Sequence, residues 1–239
     1  MRTLLPVLLL GISIALPAPA TIQRAEDFQA PQIVVNRLQF PLSSALEGLS
    51  EGFAEVHFIV DSDGTASEFI VVEATHEVFA RAALRGLQES QFQSASFEGE
   101  SETVRTIMHL HFRETGVVNY SAYDRVQHPL PYMTRFSRPA FSLSKVEELD
   151  SAPRLIQQPE NYFPVDEEER LLTGSVHMEY YIDRDGQTRL AIPLEPAHPA
   201  IVEAAILSIA GMRYEIPRKG AKPVPVRVRQ TIVFTGTGS

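Results

Sequence analysis

The chain has 239 residues, of which 44% are hydrophobic and 21% are charged, so it has room for one large or two small globular domains. The formal net charge of -9 argues against nucleic acid as a partner, because a phosphate backbone requires a basic surface. Cys is absent, which excludes disulfides, thiol catalysis and Cys-ligated zinc.

The N-terminus has the features of an export signal. Arg2 precedes an apolar segment from Leu4 to Leu16, and Ala18-Pro19-Ala20 has the small-x-small form of a cleavage site. As a helix this segment would reach about 20 Å, which is too short for a hydrocarbon core of about 30 Å. We therefore expect residues 1–20 to be a cleaved signal peptide and the protein to be periplasmic. A membrane-anchored form is the alternative.

Two segments further along the chain repeat one pattern 122 residues apart, with Gly52–Gly64 aligned to Gly174–Gly186. In each, apolar side chains alternate along a strand that runs into Asp-x-Asp-Gly. This is a hairpin signal, because Gly accepts a positive φ. Returning strands are predicted at Glu68–Glu73 and Thr188–Leu194, and Pro193 favours a sheet edge for the second.

A helix and a last strand complete each copy. Apolar residues recur at helical spacing from Ala80 to Leu87 and again from Val202 to Ile209. Alternation returns at Val104–Phe112 and Val226–Phe234. A helix that crosses one face to join the second strand to the third predicts the strand order 2-1-3.

The predicted fold class is therefore α+β. We expect two tandem small domains, each a three-stranded antiparallel or mixed sheet (ββαβ) with a helix on one face. The other face is expected to be exposed and polar, and the third strand to be an open edge.

The domain boundaries follow from these copies. We expect a signal peptide at 1–20, a first domain at 21–116, a connector at 117–150 and a second domain at 151–239. The connector is rich in aromatic residues, so we predict that it packs on one or both domains, with a flexible tether as the alternative. These aromatic residues are Tyr120, Tyr123, Tyr132, Phe136 and Phe141.

The order of conspicuous residues is the same in both copies. In the second copy these residues are Tyr162-Phe163-Pro164, Gly174-x-Val176, Ile182-Asp183-x-Asp185-Gly186, Ala204-Ala205, Tyr214, Pro217, Gly220 and Phe234. In the first they are Phe40-Pro41, Gly52, Asp61-x-Asp63-Gly64, Ala82-Ala83, Phe92, Gly99 and Phe112. With this spacing, both copies resemble the C-terminal domain of TonB-type energy transducers.

The resemblance implies a non-enzymatic periplasmic module without a cofactor. It implies binding of an envelope protein or extended peptide, such as a segment of an outer-membrane transporter, by addition to the sheet edge. An open third strand offers the unpaired N–H and C=O groups that this addition requires. The membrane anchor and Pro-rich spacer that family transducers usually carry are not visible, so the resemblance supports the fold and peptide binding more than force transmission.

The expected binding residues lie on the two last strands. They are Val226, Arg227, Val228, Arg229, Gln230 and Ile232 in the second copy, and Arg105, Ile107, His109 and His111 in the first. If the N–H of Val228 faces the ligand, Val228→Pro is expected to abolish binding.

Three alternatives remain open. The open edges pair with each other, which gives a structural accessory or a homodimer. Alternatively, His57, His109 and His111 share a sheet face and form a zinc site or an enzyme's active site. The Asp-x-Asp-Gly turns also resemble fragments of calcium loops, but no Glu stands where the loop requires its last ligand.

Overall fold

A computed structural model describes residues 28–42, 48–121, 139–158 and 162–235. The predicted signal peptide at 1–20 lies outside the described residues, and so do the connector residues Tyr123, Tyr132 and Phe136.

The N-terminal half contains nine strands and one helix in its described part. They are β1 (Phe28–Gln29), β2 (Gln32–Val35), β3 (Glu51–Val60), β4 (Ala66–Ala74), α1 (Glu77–Gln88), β5 (Gln91–Gln93), β6 (Ala95–Phe97), β7 (Glu100–Glu102), β8 (Val104–Arg113) and β9 (Gly116–Ser121). We call β3, β4, α1 and β8 the first unit.

The C-terminal half has a corresponding set of elements. They are β10 (Ser144–Lys145), a 3₁₀ turn (Val146–Glu148), β11 (Leu155–Gln157), β12 (Gly174–Ile182), β13 (Thr188–Pro193), α2 (Pro199–Ala210), β14 (Arg213–Tyr214), β15 (Arg218–Lys219), β16 (Lys222–Pro223) and β17 (Val226–Phe234). We call β12, β13, α2 and β17 the second unit.

The two main sheets have the strand orders β4-β3-β8-β9 and β10-β17-β12-β13. Within each, the first strand of the unit lies antiparallel between the second and the third. The α+β class and the order 2-1-3 are thus confirmed. The prediction of three strands is wrong, because β9 joins the first sheet and β10 joins the second.

The hairpin turns require glycine for two reasons. Gly64 and Gly186 have φ values of 85° and 79°, which are strained for any residue with a Cβ. A Cβ on Gly186 would also lie 2.1 Å from the carbonyl oxygen of Tyr214, and one on Gly64 would lie 2.5 Å from that of Phe92. Each turn therefore packs against the backbone of the aromatic residue that follows the helix.

A histidine caps the N-terminus of each helix. The Nδ1 atoms of His76 and His198 accept hydrogen bonds from the N–H groups of Val78 and Ala200, each at 3.3 Å. These bonds satisfy one otherwise free donor at each helix start. Gly86 lies inside α1, where the chain before β3 passes close to the helix. A Cβ at this position would be 2.8 Å from Cδ2 of Leu38, so the close approach requires glycine.

Each helix covers one face of its own sheet. In the first unit the core between α1 and the sheet includes Phe58, Phe79 and Leu87. In the second unit Tyr180 and Ile209 occupy the corresponding core. Burial of these strand and helix side chains is the main favourable term for each unit.

The helix-free faces of the two sheets lie against each other. Ile70 and Val72 of the first unit form one buried cluster with Tyr181 and Leu190 of the second. The ring of His57 meets that of Tyr181 edge-on, with centroids 5.6 Å apart. The prediction of an exposed helix-free face is therefore wrong where the units meet, because each sheet removes the other from water.

Part of the predicted connector packs on both units. The N–H of Ala140 donates to the carbonyl of Ala74 at 2.9 Å, and the N–H of Ser144 donates to that of Pro225 at 3.0 Å. Phe141 is buried in the core of the first unit, and Leu149 contacts both cores. The domain boundaries themselves stay predictions, although β9 extends the first sheet into the range expected for the connector.

Candidate functional site

The outer edge of the first sheet is largely closed by the chain itself. After the turn Glu114-Thr115, β9 runs back along β8, with pairs from Arg113↔Gly116 to Met108↔Ser121. His109 and His111 therefore have a strand on each side. The predicted open edge is wrong over this range, because the chain continues beyond Arg113 into a second hairpin whose return strand covers it.

The uncovered part of β8 is short. Within the described residues, Val104–Ile107 has no strand on its outer side, and this range includes the predicted binding residues Arg105 and Ile107. The Arg105 side chain points to the second unit, where its guanidinium lies 3.2 Å from Oε1 of Glu179.

The outer edge of the second sheet is open over most of its length. β10 pairs in parallel with Val226 and Arg227. Beyond that point, no strand of the described chain pairs with the outer side of Val228–Phe234. The predicted edge is therefore reduced to this range, which we call the β17 edge.

The direction of each backbone group along the β17 edge follows from one hydrogen bond. The carbonyl of Pro225 accepts from Ser144, so the backbone groups of residue 225 face outward. Strand residues alternate in direction, and β17 pairs with β12 without a bulge. Arg229, Thr231 and Val233 therefore present outward N–H and C=O groups. The N–H of Val228 faces β12, so Val228→Pro would break the sheet itself rather than test the edge.

Side chains on β17 are anchored to β12. The Tyr180 hydroxyl donates to Oε1 of Gln230 at 2.9 Å, and Thr231 shares a hydrogen bond of 3.0 Å with Nδ1 of His177. Burial, together with a hydrogen bond to Tyr214, raises the pKa of Tyr180 and keeps its hydroxyl a donor. These bonds hold β17 to β12 through side chains, and they do not involve the outward backbone groups of β17.

Glu179 is the anchor for Arg229 and is itself buried, with 4% of its surface exposed. Its Oε2 accepts from Nε of Arg229 at 3.0 Å, and its Oε1 accepts from Arg105. Burial acts to raise the pKa of Glu179, but the hydrogen bonds from Arg229 and Arg105 outweigh it and lower the pKa. Glu179 is not among the binding residues predicted from the sequence. Its signal was a lone carboxylate in the otherwise apolar and aromatic run Met178–Ile182.

The opposite edges of the two sheets are poor templates for another strand. Glu68 in β4 and Leu190 in β13 occupy equivalent positions and both have a φ of 55°, beside register shifts in each strand. The end of β4 is also closed by the Ala74↔Phe141 bridge. Bulges of this kind protect edges from pairing, so an added strand would fit the β17 edge better than either of these edges.

The three histidines do not converge on one point in the manner of a zinc site. Nε2 of His57 and Nδ1 of His109 lie 2.9 Å and 3.1 Å from the two oxygens of Glu55. No group of three or more metal-binding side chains is present in the part of the chain that the structure describes. Glu55 therefore joins the two imidazoles through its two carboxylate oxygens.

The Asp-x-Asp-Gly carboxylates serve their own turns. Oδ1 of Asp63 accepts from the N–H of Thr65 at 2.8 Å, and Oδ1 of Asp183 accepts from those of Asp185 and Gln187. Such local bonds are typical of Asp in turns and explain its presence without a bound cation.

Comparison with known proteins gives one family match. Residues 36–113 match the family model of the Gram-negative bacterial TonB protein C-terminal. The match ends at Arg113, the last residue of β8, so β9 and the second unit lie beyond it. No curated protein and no solved structure gives a significant match. Among the described helices, none has the length and apolar character required to cross a bilayer.

Proposed function

We propose that the chain is an exported, periplasmic, non-enzymatic protein that binds an extended peptide by strand addition to the β17 edge. The partner class that fits the family match is an extended segment of an envelope transport protein, such as an outer-membrane transporter. The observation that carries the proposal is the row of outward backbone groups at Arg229, Thr231 and Val233, which an added strand would pair.

The two units have different roles in this proposal. The first unit carries the family match, but its own β9 occupies the edge that a ligand would use. The second unit repeats the order of strands and helix and keeps its edge open, so we assign it as a divergent TonB C-terminal-like unit that holds the docking site. The first unit is then a scaffold, and one chain binds one peptide.

Pairing of two β17 edges is the second candidate. Val233 is 64% exposed on the open strand, which favours contact with another apolar strand. A homodimer would place two β17 strands side by side and would leave no edge for a peptide. Sedimentation at several protein concentrations separates the two candidates, because only the dimer gives a concentration-dependent mass.

The test uses the strand that closes the equivalent edge in the first unit. A synthetic peptide with the sequence of Gly116–Ser121 is titrated into the ¹⁵N-labelled protein and followed by NMR. We expect the amide signals of Arg229, Thr231 and Val233 to shift. Unshifted edge amides at millimolar peptide would contradict the proposal.

Thr231→Pro is the variant that isolates the edge. It removes an outward N–H while an edge position tolerates the ring, so we expect the sheet to stay folded and peptide affinity to fall about ten-fold. Thr231→Val is the matched control, because it removes the hydroxyl but keeps the N–H. Equal peptide affinity in the two variants would rule out backbone pairing at this position.

A further inference from the structure

Arg229 combines two features. Its backbone faces outward on the β17 edge, and its guanidinium is tied back to Glu179 at 3.0 Å although 58% of the side chain is exposed. Glu179 and Arg229 are direct cross-strand partners in the sheet. The carboxylate therefore holds the guanidinium over the helix-free face of β12.

A charged side chain that is free to move on an edge strand discourages pairing with another strand. An unrestrained Arg229 would be such a guard, because its long side chain reaches the region that an added strand would occupy. We propose that Glu179 is a positioning residue that keeps Arg229 away from the β17 edge and so keeps that edge open to a peptide. This inference rests on the proposed function and concerns the regulation of the same site.

The first unit takes part in this arrangement. Arg105 supplies a second guanidinium to Glu179, at 3.2 Å from the oxygen that Arg229 does not use. A buried carboxylate stays ionised only when its charge is compensated, and two hydrogen-bonded guanidiniums provide that compensation. Arg105 of the first unit thus helps to keep Glu179 ionised, and ionised Glu179 restrains Arg229 at the edge of the second unit.

The test is a double-mutant cycle read by NMR titration with the Gly116–Ser121 peptide. Glu179→Gln removes the charge that holds Arg229, and we expect about ten-fold weaker peptide binding. Arg229→Thr removes the guanidinium but keeps the outward N–H and C=O of residue 229, and its peptide affinity is the reference for the double variant. The double variant is expected to recover the affinity of Arg229→Thr.

Recovery separates a positioning role from a merely structural one. Structural damage caused by Glu179→Gln would not be repaired by removing a second side chain, whereas release of a guard would be. Glu215→Gln is the control, because it removes another carboxylate paired with an arginine, Arg154, on the surface. We expect this control to leave peptide affinity unchanged.

If Glu179→Gln does not fold, Glu179→Asp tests the positioning role of Glu179 in its place. The shorter side chain keeps the charge but cannot span Arg105 and Arg229 together, so we expect weaker binding that Arg229→Thr again restores. Unchanged affinity in Glu179→Gln or Glu179→Asp, or a loss that Arg229→Thr does not restore, overturns the inference while the proposed function stands. Failure of the unchanged protein to bind the peptide contradicts the proposed function, and this inference with it.

Discussion

At the scale of single residues, a carboxylate on the first strand of each unit is held by two basic side chains, Glu55 partly buried and Glu179 fully buried. Glu55 and His57 in β3 correspond, 122 residues on, to His177 and Glu179 in β12, so acid and imidazole have exchanged places. Glu55 is shared by two imidazoles and Glu179 by two guanidiniums. Each carboxylate accepts two charge-assisted hydrogen bonds, which are about twice as strong as neutral ones and offset the free-energy cost of removing the charge from water.

Glu55 allows a prediction about pH. Burial acts to raise its pKa, but hydrogen bonds from His109 and His57 hold that pKa far below its ordinary value of 4.5. A depressed pKa contributes stability that is fully present above the ordinary value and is lost as the pH falls below it. We expect Glu55→Gln to lower the free energy of unfolding by about 2 to 3 kcal/mol at pH 7.

Urea denaturation at pH 7, 5, 4 and 3 measures this effect. The difference between the unchanged protein and Glu55→Gln is expected to shrink at pH 4 and below. Glu51→Gln is the control on the same strand, because Glu51 is half-exposed and 3.9 Å from Arg113, and its loss should cost under about 0.5 kcal/mol. A difference that stays constant down to pH 3 would contradict the assignment.

At the scale of elements, the hairpin turns are the most constrained parts of each unit. Gly186 combines a positive φ with the backbone of Tyr214 directly beside it, and the Tyr214 N–H donates to the Gly186 carbonyl at 2.9 Å. The turn therefore fixes both the β12–β13 hairpin and the segment that leaves α2.

Gly186→Ala is expected to destabilise the protein by at least about 3 kcal/mol, from backbone strain and from the collision with the Tyr214 carbonyl. Gly220→Ala is the matched control, since Gly220 has a φ of 57° and nothing within 4 Å of an added Cβ. It should cost about 1 to 2 kcal/mol, from backbone strain alone. Equal losses in the two variants, measured by urea denaturation, would show that the close approach to Tyr214 is unimportant.

At the scale of the whole molecule, the two units are joined by a buried cluster that is distinct from the core of either unit. The cluster of Ile70, Val72, Tyr181 and Leu190 is flanked by ion pairs between the units, one of them Arg184 to Glu77 at 2.9 Å. The Arg184 guanidinium also lies 4.0 Å from the ring centroid of Phe141, in the packed part of the predicted connector. We therefore expect the units to unfold together.

Val72→Ala tests this joint interior. Val72 is 2% exposed between the sheets, so the variant should lose about 2 kcal/mol of stability. Val34→Ala, at a position that is 64% exposed, should lose under about 0.5 kcal/mol. The unchanged protein is expected to show one cooperative transition by circular dichroism and by hydrogen exchange in both units. Two separate transitions would mean that the units are energetically independent.

Sequence periodicity was sufficient to predict the strands and the helix of each unit. Alternation along Val176–Ile182, helical spacing along Val202–Ile209 and the glycine of each hairpin are local properties, since they depend on neighbouring residues and on backbone geometry. For that reason the ββαβ order, the 2-1-3 sheet and the edge position of Pro193 are all present in the structure.

Only the tertiary structure decided which edges are open and which faces are buried. No local pattern in the sequence specifies three of these contacts. They are the pairing of β9 with β8, of Ser144 with Val226, and of Arg105 with Glu179. Such contacts depend on how two amphipathic sheets remove each other from water. The free energy gained by burying apolar surface and the entropy lost by closing the chain both arise only when distant segments meet. The sequence alone therefore determined the strands and helix of two similar units, and the tertiary structure decided that the β17 edge stays open.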